Sequence, residues 1–100
     1  MEQVEVFKAL ANESRLKILQ WMKEPDKHFG ECPTGGPRGR KVCVTEIQSK
    51  LGLSQSTASQ YLAILQDVGL VVARRESQWT FYERNEEALK ALGDFLMKEL

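Results

Sequence analysis

The stretch that constrains this chain most runs from Thr45 to Arg84: T-E-I-Q-S-K-L-G-L-S-Q-S-T-A-S-Q-Y-L-A-I-L-Q-D-V-G-L-V-V-A-R-R-E-S-Q-W-T-F-Y-E-R. Two short helical patterns meet at Gly52-Leu53-Ser54, the second begins polar and hydroxyl-rich, and a pair of β-rich runs comes next. That order is the layout of a helix-turn-helix with a wing, a device suited to the DNA major groove.

Local signals sharpen the outline. Thr45-Glu46-Ile47-Gln48 matches a capping box, in which a hydroxyl and an amide side chain satisfy two orphan backbone donors, so a helix is predicted to start there. Ile47 and Leu51 should face inward, Gly52 should make the turn, and Ser54 should cap the next helix, whose Ala58, Leu62 and Leu65 form its buried stripe. Gly69 fits the residue just past that helix. Leu70 to Arg75 and Trp79 to Arg84 are predicted to pair as a hairpin around Glu76-Ser77-Gln78. Asn85 then caps a last helix lined by Leu89, Leu92, Leu96 and Leu100, with Glu86 and Glu87 at its positive end.

The N-terminal part gives two helices, about 3–10 and 13–23, from the spacing of Val4, Phe7, Leu10 and Ala11 and then Leu16, Leu19 and Met22. Pro25 is expected to end the second. Residues 26–40 hold Gly30, Pro33, Gly35, Gly36, Pro37 and Gly39, a composition that no regular element tolerates, so a long flexible surface loop is predicted. Such a loop is either functional or an insertion without a role. Val42-Cys43-Val44 forms a brief extended stretch beyond it. The expected fold is mainly α with a small β-hairpin, a winged helix-turn-helix in the order α-α-(β)-α-α-β-β-α, as one domain over residues 1–100.

The 14 basic and 14 acidic residues cancel, yet they are unevenly spread along the chain. Between residues 32 and 75, Arg38, Arg40, Lys41, Lys50, Arg74 and Arg75 stand against only Glu46 and Asp67, which makes this middle the phosphate-facing candidate. No apolar run approaches the roughly 18 residues of a membrane span, and the opening M-E-Q-V-E-V-F is acidic where a signal peptide would be basic. A cytosolic, nucleoid-associated chain without a membrane partner is expected. Two cysteines, Cys32 and Cys43, lack C-x-x-C spacing and are too few for a secreted disulfide scaffold. Buried inert thiols are the plain expectation; a disulfide across the glycine-rich loop, or metal capture together with His28, are the alternatives.

With Ser54 as cap, the start and outer face of the second helix of the motif present Gln55, Ser56, Thr57, Ser59 and Gln60. These donors and acceptors suit base edges and phosphates, and glutamine pairs bidentately with adenine. A solvated helix usually carries glutamate and lysine, whereas this one has no charge from Leu53 to Gln66. Lys50 at the turn and Arg74 or Arg75 before the hairpin tip are the candidate phosphate contacts. Neighbouring strand residues point to opposite faces, so one of the two arginines is expected to reach DNA. Trp79, Phe81 and Tyr82 resemble a stacking platform, but their alternation fits wing strands packed on helices better.

F-K-A-L-A-N-E-S-R-L-K-I-L (7–19), L-G-L-S-Q-S-T-A-S-Q-Y-L-A-I-L (51–65) and G-L-V (69–71) resemble the ArsR-type winged-helix repressors, small bacterial dimeric regulators, over nearly the whole chain except the 26–40 loop. The resemblance implies a homodimer joined through the first and last helices, which would use Val4, Phe7, Leu89, Leu92, Phe95 and Leu96. It also implies a repressor that binds a palindromic operator in double-stranded DNA and releases it when an inducer binds. The metal-sensing C-V-C-D-L-like motif is altered here to Cys43-Val44-Thr45-Glu46-Ile47, and residues 86–100 contain no histidine for a zinc site. One thiolate cannot make a multidentate site for thiophilic metals, so no metal or other cofactor is expected.

An enzyme is disfavoured, since no phosphate loop, paired carboxylates or supported Cys/His arrangement occurs. A winged helix that docks proteins and never touches DNA is the alternative function. Against it, a docking module has no reason to concentrate positive charge around the turn.

Overall fold

Asn12 divides the N-terminal helical run, because its side-chain oxygen accepts from the Arg15 backbone N–H at 2.9 Å and so starts a new helix. The computed structural model describes residues 2–100 and places α1 at Gln3–Leu10 and α2 at Glu13–Lys23. A further helix, α3, spans Pro25–Phe29. Then come β1 (Val42–Cys43), α4 (Val44–Leu51), α5 (Gln55–Asp67), β2 (Val71–Glu76), β3 (Trp79–Arg84) and α6 (Glu86–Glu99). The winged helix-turn-helix is present, with α4 and α5 as the motif and β2–β3 as the wing.

Two expectations are corrected. Pro25 does not merely end α2: it opens α3, where its missing N–H costs nothing because first-turn donors have no intrahelical partner. Residues 26–40 are therefore not all loop, and the segment beyond Gly30 is tied down, with Cys32 and Arg38 both buried. The capping box also begins earlier than Thr45. Cys43 is the N-cap of α4 and Glu46 its third residue, with a Glu46 carboxylate oxygen accepting from the Cys43 backbone N–H at 3.1 Å. The Thr45 hydroxyl instead lies 3.1 Å from the Cys43 sulfur.

The core is built mainly from α2, α4 and α5. Ile18, Met22, Ile47, Ala58, Leu62 and Leu65 are essentially inaccessible, together with Leu70 just before β2 and Val42, Val71 and Phe81 from the sheet. Each large side chain so buried contributes about 1.5–3 kcal/mol of transfer free energy. The sheet has the order β1-β3-β2, antiparallel throughout, with Val42 opposite Tyr82, Cys43 opposite Phe81 and Arg74 opposite Phe81. A second, smaller cluster forms on the Cys43 side of the sheet, where Cys32, Cys43 and Phe81 pack with Trp79. Trp79 stacks on Phe81 with 6.2 Å between ring centroids, so these aromatics are packing residues.

α6 differs from the other long helices, since it has no fully buried residue. Leu89 and Leu92 lean on the core and Phe95 meets Phe7 of α1 at 6.3 Å, but Val4, Leu96, Met97 and Leu100 are exposed. Among the described residues, no helix is long and apolar enough to cross a membrane.

Candidate nucleic-acid interface

Helix α5 owes its position to both ends. The Ser54 hydroxyl accepts from the Thr57 backbone N–H at 3.2 Å and donates to the Thr57 hydroxyl at 3.0 Å. Gly52 before it adopts φ 66, and Gly69 beyond it φ 81, both conformations that glycine enters without a side-chain clash. The Asn85 side chain then ties the far end down, donating to the Gly69 carbonyl at 2.9 Å while accepting from the Ala88 backbone N–H at 3.1 Å. One residue thus closes α5 and starts α6.

With Ala58, Leu62 and Leu65 held in the core, helical geometry turns Gln55, Ser56 and Gln60 to solvent, and leaves Thr57 and Ser59 half-buried beside them. Ser54 is exposed too, although its oxygen already serves the cap and also lies 3.2 Å from the Ser56 hydroxyl. The exposed glutamines make no hydrogen bond within the chain among the described residues and are free to meet a base edge. Arg15, which no local pattern singles out, holds the assembly from behind. Its guanidinium donates to the Ala9 and Lys8 carbonyls at 2.6 and 3.3 Å, which satisfies the end of α1, and lies 5.4 Å from the centre of the Tyr61 ring on α5.

The wing separates Arg74 from Arg75 as strand geometry requires. Arg74 shares the face of Phe81 and pairs with Glu83 at 3.4 Å; Arg75 shares the opposite face with Thr80 and donates to the Ser77 carbonyl at 3.2 Å. Ser77 closes the two-residue turn with φ 57, the left-handed sense that fits a hairpin's twist. Lys50 is exposed at the end of α4, with its ammonium 5.2 Å from the centre of the Trp21 ring.

Charge along the chain does not translate into charge on the surface. Arg38 is buried against Glu46, Lys41 meets Glu76 at 2.7 Å, Arg40 meets Glu86 at 3.4 Å and Arg74 meets Glu83. Among the described residues, only Lys50 and Arg75 of the mid-chain cations lack a carboxylate partner. The sequence-based phosphate surface is corrected accordingly, because acidic residues from the C-terminal third fold back onto it. Glu46 and Glu76 keep the Arg38 and Lys41 pKa values above their ordinary range through these hydrogen bonds, so both stay charged.

The cysteines are free and buried, each with its sulfur beside a threonine hydroxyl, Cys32 with Thr34 at 3.2 Å and Cys43 with Thr45. The His28 ring stands 6.3 Å from that of Trp21. Among the described residues, no group of three or more His, Cys, Asp or Glu side chains is placed to hold a metal ion.

Comparison with known proteins agrees with this geometry. Residues 38–72 match the model of the bacterial regulatory protein, arsR family. An uncharacterised HTH-type transcriptional regulator of Bacillus subtilis (strain 168), YbzH, is 54% identical over 100 residues, covering 100% of both chains. The transcriptional activator HlyU of Vibrio cholerae is 37% identical over 93 residues, covering 93% of this chain and 72% of its own. The solution structure of the homodimeric winged helix-turn-helix DNA-binding domain Mb0332 from Mycobacterium bovis, a possible ArsR-family regulator, superposes with a TM-score of 0.67 at 29% identity, covering 94% of this chain and 74% of that one. These relatives are named as transcriptional regulators or as a DNA-binding domain of one, and on its residues, its fold and these matches the chain belongs to the ArsR family of bacterial regulatory proteins.

Proposed function

We propose that this protein is a repressor that binds an imperfect palindrome in double-stranded DNA as a homodimer. α5 enters the major groove, where Gln55 and Gln60 read base edges while Ser54, Ser56, Thr57 and Ser59 contact bases or backbone. Lys50 and Arg75 supply phosphate contacts, and Arg74, already paired with Glu83, supplies less. The observation that carries this reading is the amide- and hydroxyl-rich outer face of α5, uncharged from Gln55 to Gln66 and held by a core that fixes its rotation. An acidic residue among these reading positions would repel phosphate, and none occurs from Leu53 to Gln66; Asp67 stands only at the far end of the helix.

The dimer forms through α1 and α6. α6 exposes Leu96 and Met97, Leu100 follows at its end and Val4 of α1 is exposed as well, more apolar surface than a chain of this size leaves uncovered by chance. Phe7, Leu89, Leu92 and Phe95 are half-buried and complete the patch. Cys32 and Cys43 act as packing residues, and any inducer belongs to a class other than thiophilic metals. A protein acting this way resides with the chromosome. Because one relative carries the name of an activator, the sign of regulation is tested separately from binding.

Fragments of genomic DNA retained by the protein should share a two-fold symmetric motif, and a promoter carrying it should fire more strongly when the protein is deleted. No retention of DNA would favour the protein-docking alternative, and retention without any shared sequence would overturn sequence-specific reading. Weaker firing on deletion would make it an activator.

A further inference from the structure

Arg38 is the one buried charged residue among those described, 5% exposed, and it lies in the segment that the sequence marks as loop. A buried cation is costly unless its donors are met, so the places that meet them are fixed with respect to one another. One Nη donates to the Lys41 carbonyl at 3.0 Å and to a Glu46 carboxylate oxygen at 3.0 Å. The other donates to the Gly30 carbonyl at 2.9 Å and to the second Glu46 oxygen. Nε makes no hydrogen bond and lies 3.6 Å from Asp26 of α3. A single guanidinium therefore closes the 30–41 segment end to end and attaches it to the first helix of the motif.

Glu46 carries the connection further. The oxygen that receives Arg38 also accepts the Cys43 N–H, which caps α4, and Cys43 is paired with Phe81 of the wing strand β3. Beyond Arg38 the segment grips the wing directly. The Lys41 ammonium stands 4.6 Å from the centre of the Phe81 ring and bonds Glu76 on β2, while Cys32 packs on Phe81 and Arg40 reaches Glu86 on α6.

We propose that residues 30–41 form a brace that fixes the angle between the wing and the helix-turn-helix, with Arg38 as a positioning residue for DNA recognition. The proposal rests on the reading of α5 and the wing as DNA-binding elements. Simultaneous contact of α5 with bases and of the wing with flanking phosphate needs both elements held in one geometry, and supporting shells of this kind set that precision. Arg38 itself is too buried to touch DNA.

The test compares the parent with Arg38→Met, Arg38→Lys and Glu46→Gln in the full chain. It reads affinity for a selected operator and for a scrambled duplex across a salt series, together with hydrogen exchange over residues 30–51. Arg38→Met should lose about tenfold or more on the operator and little on the scrambled duplex, with an unchanged salt slope and lost protection at Val42–Gln48. Arg38→Lys should recover part of the loss. A folded Arg38→Met that binds the operator like the parent overturns the proposal, and so does a slope flattened by about one unit, since that marks a phosphate contact. Should Arg38→Met not fold, Glu46→Gln decides: it keeps an acceptor for Cys43 and removes the charge, and parent-like selectivity in it overturns the brace. If the parent selects no DNA at all, the functional reading fails, while hydrogen exchange still judges the brace, which unchanged protection would refute.

Discussion

In α5 the apolar and polar positions follow the helical period, and every polar group that the pattern turns outward is found half-buried or exposed. Between Gly30 and Lys41 there is no period, and there a guanidinium and a thiol turn inward. Both regions hold polar residues that look available in the sequence, and only one of them offers those residues to a partner. Periodicity tells which side of an element is buried, because the element's geometry is local. An aperiodic segment is fixed by contacts distant in sequence, such as Lys41 with Glu76, and no window along the chain reveals them.

Breaking the contact between copies should have the largest effect. Replacing Leu92 and Leu96 together by glutamate puts two charges into the α1–α6 patch and is expected to give monomers or unfolded chain in sedimentation, with operator binding lost. A folded dimer of that variant would remove α6 from the interface.

A smaller effect should separate the two wing arginines. Arg75→Ala is expected to flatten the salt dependence of binding by about one unit, as for one lost phosphate contact. Arg74→Ala should change it less, since Glu83 already engages that side chain. Equal changes would mean that an internal ion pair does not decide which cation reaches phosphate, which would weaken the contrast between engaged and available polar groups.

The smallest effect is expected from the thiols. Peroxide treatment of the parent should leave operator affinity unchanged and equal to that of a Cys32→Ser, Cys43→Ser variant similarly treated, because both sulfurs are buried. Loss of affinity in the parent alone, with a mass decrease matching a disulfide, would make the brace redox-responsive.

Much of the frame is legible in the sequence. The boundaries of the first two helices, the start of the last, the caps at Ser54 and Asn85, the turn at Gly52 and the stripe of Ala58, Leu62 and Leu65 all stand in the fold where local rules put them. α3 is hidden because a proline that stops one helix can equally be the first residue of another. Cys43 is hidden as a cap because cysteine is a rare one, and Thr45 two positions on offers a commoner signal. Arg15 and Arg38 are invisible in their roles, since each satisfies carbonyls that a sequence does not display.

Base readout by α5 is the centre of the account, and competition binding with Gln55→Ala and Gln60→Ala tests it most directly. Each variant should lose about 1–3 kcal/mol on the preferred site, with specificity relaxed at one base pair per half-site and affinity for scrambled DNA unchanged. Parent-like discrimination at every position in both variants would contradict it.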